Sequence, residues 1–176
     1  MNAVRRGFTI VELIITITIM GILLTLAVVN VSTTQVNARD DSRKSDIEAI
    51  ASNLESYYIG GTDNSTVYHT YPSLSLIGNA ANITSYLRDA NINSFLTPGK
   101  TDVTQTFLGS TNAGSLPSIQ TAAGVTPQPT ADTYVYQPIA SDGSVCQAGN
   151  TACRKFNLYY YLEGSHSVVK LTSKNQ

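Results

Sequence analysis

Hydrophobic and polar positions divide the chain into a long helical stretch with two distinct halves, followed by a region of strands. From Phe8 to Val29 the residues are rich in Ile, Leu, Val and Thr, and the apolar positions fall on every side of a helical projection. A helix apolar all round is covered on all sides, by lipid or by other helices. These 22 residues would extend about 33 Å, against a hydrocarbon core of about 30 Å. The following half is patterned differently. Ile47, Ile50, Ala51, Leu54 and Tyr57 or Tyr58 recur at three- and four-residue spacing and share one face, which predicts a helix packed on one side only. Asp40–Lys44 and Lys44–Glu48 read as i,i+4 pairs on an exposed side. Between Phe8 and Tyr58 there is no proline and one glycine, Gly21, so the 51 residues are predicted as a single helix, about 75 Å long. Gly60-Gly61 supplies its stop.

Beyond Gly61 the period changes. Tyr71-Pro72 predicts an extended entry, and Ile83 to Leu96 has room for a short helix before Pro98-Gly99 breaks it. Residues 101–131 are Thr, Ser, Ala, Gly and Pro with scattered hydrophobics, a variable surface loop with room for a short strand. Thr133 to Gln137, Phe156 to Leu162 and Val168 to Thr172 are β-rich runs separated by Ser141-Asp142-Gly143 and Glu163-Gly164-Ser165. Three consecutive antiparallel strands would cover the apolar helix face. The expected fold class is α+β: a long N-terminal helix on a small C-terminal antiparallel sheet. The expected division is a basic leader over 1–7, a helix over 8–58 with a membrane or core segment at 8–29, and a globular head over 59–176.

Composition sharpens this reading. Charged residues are 13% of the 176-residue chain, about half the usual share. Between Phe8 and Ala38 the one charge is Glu12. A net charge of −1 excludes a strongly basic nucleic-acid binder as the default. Arg5 and Arg6 precede the apolar run and, by the positive-inside tendency, stay cytoplasmic, which puts the head across the membrane. With two Cys and two His, a mixed zinc site would consume every one of them.

Glu12 carries the sharpest chemistry. A carboxylate five residues into an apolar helix costs several kcal/mol if unpaired at depth. It either snorkels to the interface or meets a positive partner, and no Lys or Arg between Phe8 and Ala38 supplies one. Cleavage between Gly7 and Phe8 would create one, the new α-amino group. Helices shifted along their axes could then pair the Glu12 of one with the N-terminus of the next, which would set their register.

Gly7-Phe8-Thr9-Ile10-Val11-Glu12-Leu13-Ile14, after a short basic leader, closely resembles the processing motif of type IV prepilins. Gly21 also stands where a small residue is common in that helix. The resemblance implies cleavage by prepilin peptidase between Gly7 and Phe8, N-methylation of Phe8, and a role for Glu12 in assembly. It implies a homo-oligomeric helical filament built by an inner-membrane assembly platform from a single-pass precursor of the cytoplasmic membrane, and delivered outside the cell. A secretion-type pseudopilin, or a minor tip subunit binding a surface or DNA, are the alternatives within it. The clear likeness covers residues 1 to about 58, and the head matches in general plan. Two rival export signals, a twin-arginine reading of Arg5-Arg6 and a small-residue cleavage site at Val36-Asn37-Ala38, suit an apolar run of 7–15 residues without an acid. An uncleaved signal anchor leaves Glu12 unexplained.

In an exported head, the pair Cys146 and Cys153 reads as a disulfide, and related pilins often close a C-terminal loop with one. Two free thiols are the alternative. Tyr134, Tyr136 and Tyr159-Tyr160-Tyr161 read first as core-filling strand residues. Their functional alternative is an exposed aromatic strip beside Arg154, Lys155, Lys170 and Lys174 that stacks bases or sugars. His69 and His166 have no motif around them, no phosphate loop appears, and Asp132 and Asp142 lack the carboxylate density of a calcium loop. Asn64-Ser65-Thr66 and Asn82-Ile83-Thr84 match the glycosylation triplet, a pattern common by chance. The expectation is a structural protein with no cofactor and no enzymatic activity.

Overall fold

In a computed structural model the described residues are 7–61, 69–87, 89–112, 121–147 and 152–175. Arg5, Arg6, the Asn64-Ser65-Thr66 triplet and most of the chain between the two cysteines therefore lie outside them. The chain divides into two compact units, Met1–Ala38 and Arg39–Gln176. Helix α1 is Ile10–Gly60, 51 residues long. Its bounds fall two residues later at each end than those predicted. Its stop is the expected glycine: Gly61 has φ 62°, a conformation costly to residues with a Cβ, and its N–H donates to Tyr57 O at 2.7 Å.

In the second unit α1 meets a sheet of four strands. After α1 come α2 (Ala80–Tyr86), a 3-10 turn (Ile92–Phe95), α3 (Val103–Thr106) and β1 (Phe107–Gly109). A second 3-10 turn (Ala122–Gly124) precedes β2 (Tyr134–Ala140), β3 (Cys153–Leu162) and β4 (Ser167–Thr172). The sheet order is β1-β2-β3-β4. The expected antiparallel succession is β2-β3-β4, with Tyr136 opposite Leu158 and Tyr160 opposite Val169. The sheet as a whole is mixed, not purely antiparallel, because β1 pairs parallel to β2, Phe107 opposite Tyr134. The short helix expected within Ile83–Leu96 is present as the end of α2, and a 3-10 turn follows it, each started by its own asparagine. Asn79 Oδ1 accepts from Asn82 N at 2.9 Å, and Asn91 Oδ1 from Asn93 N at 3.0 Å.

Alternation along the strands builds two apolar layers. Ile47, Ile50, Leu54 and Tyr57 of α1 are buried against Tyr134, Tyr136, Phe156, Leu158 and Tyr160. On the opposite sheet face Val135 and Tyr159 pack with Val125, Leu108 and Val168. Full burial of each such aliphatic side chain stabilises by about 1.5–3 kcal/mol. Between Val135 and Gln137 the outer face turns polar. Gln137, Asn157, Tyr159 and Ser110 are all buried, and the Gln137 Oε1 accepts from Asn157 Nδ2 and from the Tyr159 hydroxyl, both at 2.9 Å. Gln137 Nε2 in turn donates to Ser110 Oγ at 3.1 Å. No buried side-chain polar atom among the described residues is left unsatisfied, as burial of such groups requires.

Acidic residues of α1, within its apolar face and on either flank of it, anchor the rest of the unit. Asp40 accepts from the backbone N–H groups of Glu163 (2.9 Å) and Gly164 (2.8 Å) in the turn between β3 and β4. Asp46 accepts from the Tyr134 hydroxyl at 2.9 Å. Glu55 accepts from Tyr71 OH (2.8 Å), Lys174 N (2.7 Å) and Asn175 Nδ2 (2.7 Å), which fixes the C-terminal segment and the entry at Tyr71. Burial, opposed by the bonds to Asn175 and joined by the Glu55 carboxylate, pushes the Tyr71 hydroxyl up to about 12, so it remains a donor. The expected Asp40–Lys44 surface pair is not formed. Lys44 contacts Asp41 at 3.2 Å, while Asp40 is buried beside Arg43.

Candidate processing and assembly site

At the start of α1, three residues stand outside the helix: Gly7, Phe8 and Thr9. Thr9 is the cap. Its Oγ1 accepts from Glu12 N at 3.2 Å, and its carbonyl accepts from Leu13 N at 3.2 Å. Thr9-Ile10-Val11-Glu12 is a capping-box sequence, in which the N-cap hydroxyl satisfies the N–H of the third helical residue. Glu12 is that third residue. It is acidic in the first turn, where the helix macrodipole favours negative charge. The signature is legible in the sequence, and Thr9 is the site residue that reading for charge alone overlooks.

Among the described residues nothing requires Gly7 to be glycine. A Cβ built there meets nothing within 4 Å, and its φ lies outside the left-handed range. Gly21 is equally open. Phe8 is 86% exposed, so the Gly7–Phe8 bond is reachable.

From Phe8 to Leu26 every large apolar side chain is between 52 and 86% exposed, far beyond what a water-facing surface carries. The stretch lies in a helix long and apolar enough to cross a membrane. Its threonines add no polar demand. Thr16, Thr18 and Thr25 donate to the carbonyls of Leu13 (2.8 Å), Ile15 (2.8 Å) and Ile22 (2.7 Å). The Glu12 carboxylate, by contrast, is exposed and has no partner among the described residues.

In the head, Cys146 and Cys153 are both fully buried. Their side chains hydrogen-bond one another, and this bond, ahead of burial, raises the Cys153 thiol far above its ordinary range. Their backbones hold the segment entering at Tyr71: Tyr71 N donates to Cys153 O at 2.8 Å and Leu74 N to Cys146 O at 3.1 Å. The aromatic strip is not on the surface. Tyr134, Tyr136 and Tyr159 are fully buried, Tyr160 nearly so and Tyr161 half-buried, with Tyr136 OH donating to Pro72 O at 2.7 Å. The stacking alternative therefore falls. Asp132 faces Lys100 at 3.0 Å and Asp142 caps Ser144 N at 2.9 Å. Among the described residues no group of three or more His, Cys, Asp or Glu could hold a metal ion.

An α+β protein with one apolar N-terminal helix, a single carboxylate in its first turn and an exposed Gly–Phe junction is thus defined. Residues 2–28 match the prokaryotic N-terminal methylation motif, and the chain therefore carries the type IV prepilin signature. That motif supports a type IV pilin-like or pseudopilin protein, and implies a structural role, processing by prepilin peptidase and pilus assembly. No curated protein and no solved structure matches the chain.

Proposed function

We propose that this chain is the structural subunit of a type IV pilus-like surface filament. It is held in the cytoplasmic membrane by α1 with its head outside, cut between Gly7 and Phe8, N-methylated at Phe8, and assembled through α1 with Glu12 setting register. The observation that carries this reading is the lone carboxylate. The hydroxyls of Thr16, Thr18 and Thr25 are satisfied within the helix, so among the described residues from Ile10 to Leu26 Glu12 is the one charged group, and lipid cannot satisfy it. An α-amino group created at Phe8 is of matching charge and depth. In the oxidising compartment outside the membrane the adjacent thiols of Cys146 and Cys153 would close to a disulfide.

Mass spectrometry on filaments sheared from the native cell surface tests processing, export and the bridge together. A chain starting at Phe8, methylated, with Cys146 and Cys153 two hydrogens short, is the expected result. A start at Arg39 would mean ordinary secretion and would end the filament reading. Abundant long fibres containing the chain would exclude the pseudopilin alternative.

A further inference from the structure

Thr9 differs from the other threonines of the apolar half-helix. Thr16, Thr18 and Thr25 donate their hydroxyls backward to carbonyls, whereas Thr9 Oγ1 accepts from an N–H ahead of it. It thereby ends the helix. Upstream of it, Asn2-Ala3-Val4-Arg5-Arg6-Gly7-Phe8 contains no proline, and the residues of capping type that a longer helix would reach next are Gly7 and Asn2. In a membrane, helix-end N–H groups are costly to leave bare. Without a cap, helix would propagate toward the headgroups until water satisfied them. Helical geometry would then consume the carbonyl of Gly7 and wrap the Gly7–Phe8 bond in its own backbone.

We propose that Thr9 is a positioning residue for processing: by capping α1 at Ile10 it keeps the Gly7–Phe8 peptide bond non-helical and open to a peptidase. The proposal rests on the cleavage reading above and adds a residue to it. In the reaction, water adds across the Gly7–Phe8 bond, leaving a carboxylate on Gly7 and an ammonium on Phe8. Thr9 touches neither reacting atom. Its hydroxyl sets the conformation of the chain that does.

The test uses the full-length chain, Thr9→Ser and Thr9→Val, in lipid vesicles with purified prepilin peptidase, together with an established prepilin substrate as the activity control. Cleavage is followed by N-terminal mass spectrometry, and the helix start by backbone carbon shifts of residues 7–12 in isotope-labelled chain. Serine retains the acceptor; valine keeps the shape and loses it. An N-cap of ordinary strength predicts initial cleavage about fivefold slower for Thr9→Val, with helical shifts spreading to Phe8 and Gly7, while Thr9→Ser stays close to wild type. Wild-type cleavage of Thr9→Val with an unmoved helix start would overturn the proposal. So would slow cleavage with an unmoved helix start, because the enzyme would then be reading the hydroxyl directly. If the control is cut and the wild-type chain is not, the processing reading itself fails and the role of Thr9 goes with it.

Discussion

Glu163→Gln should loosen the head where helix α1 grips the β3–β4 turn. Glu163 receives Arg39 through two parallel bonds, Nε at 3.0 Å and Nη2 at 2.8 Å, and also accepts from Arg43 Nη2. Arg43 is 2% exposed, and its remaining partners are Asp40 Oδ1 at 3.0 Å and Ala131 O at 3.0 and 3.2 Å. A buried guanidinium that loses one of two carboxylates is left partly uncompensated. The hydrogen bonds of Arg39, set against desolvation and joined by those of Arg43, hold the Glu163 carboxyl at about 2 instead of 4.5. Taken whole, that difference is worth about 3.4 kcal/mol. Arg39 is 39% exposed and Glu163 23%, so solvent screening reduces the expected loss to about 2 kcal/mol.

The assay is urea unfolding of the full chain in detergent micelles, followed by the near-ultraviolet circular dichroism of the buried tyrosines. Because the folded-state value is depressed, the contribution of Glu163 is complete above its unfolded value of 4.5 and is lost as pH falls toward the folded value of about 2. The gap between wild type and Glu163→Gln should therefore be about 2 kcal/mol at pH 7 and narrow steadily below about pH 5. Asp40 is also depressed. Its burial works the other way but is outweighed by the amides of Gly164 and Glu163 and by Arg43. Asp46 is raised by burial, against its bond to Tyr134. Both are present in the two proteins, so the difference isolates Glu163. A gap under about 0.5 kcal/mol at pH 7, within the range of an exposed pair, or one that widens in acid, would refute the reasoning.

Other perturbations test other links. Glu12→Ala should leave the protein in the membrane and lower filament yield, scored by electron microscopy and by shearing; normal piliation would count against the assembly role of Glu12. Leu54→Ala removes a fully buried side chain between α1 and the sheet and should cost about 2–5 kcal/mol in the same unfolding assay. Glu55→Ala deprives Tyr71 OH, Lys174 N and Asn175 Nδ2 of their acceptor. Hydrogen exchange at residues 171–175 should quicken markedly, while that of β2 and β3 stays near wild type.

What the sequence discloses depends on whether a local pattern or a distant partner decides the outcome. The one-sided face of Ile47, Ile50, Leu54 and Tyr57 is a local pattern that predicts both its helix and its buried side, whereas the β-rich run Tyr134-Val135-Tyr136-Gln137 predicts a strand but not that both of its faces are buried. Strand β1 is three residues in a Thr- and Gly-rich stretch, and only the neighbouring backbone of β2 makes it a strand. The acids of α1 show the same limit. Asp40 and Asp41 look alike in sequence, yet one is buried under the β3–β4 turn and the other pairs with Lys44 at the surface. The difference rests on a turn more than 120 residues away. The processing motif is local throughout, and is legible down to its cap at Thr9.

Why the first turn of α1 combines a cap, an aromatic and an acid follows from where the positive charge would appear. An ammonium at Phe8 would lie one residue before the cap, at the end of the helix where the macrodipole is already positive. Such a group is unfavourably placed unless a carboxylate is near, and Glu12 is one turn away on the same helix. The apolar surface from Ile10 to Leu26 cannot by itself select a partner, because lipid tails cover it as well as another helix does. A carboxylate and an ammonium can, since lipid satisfies neither. On the proposed reading the two roles then separate: the apolar side chains make the helix equally at home in bilayer and in filament, and the pair made available by cleavage decides at which axial position neighbouring helices settle. The pair sets register more than it adds stability, since ions taken out of water recover little beyond their desolvation cost.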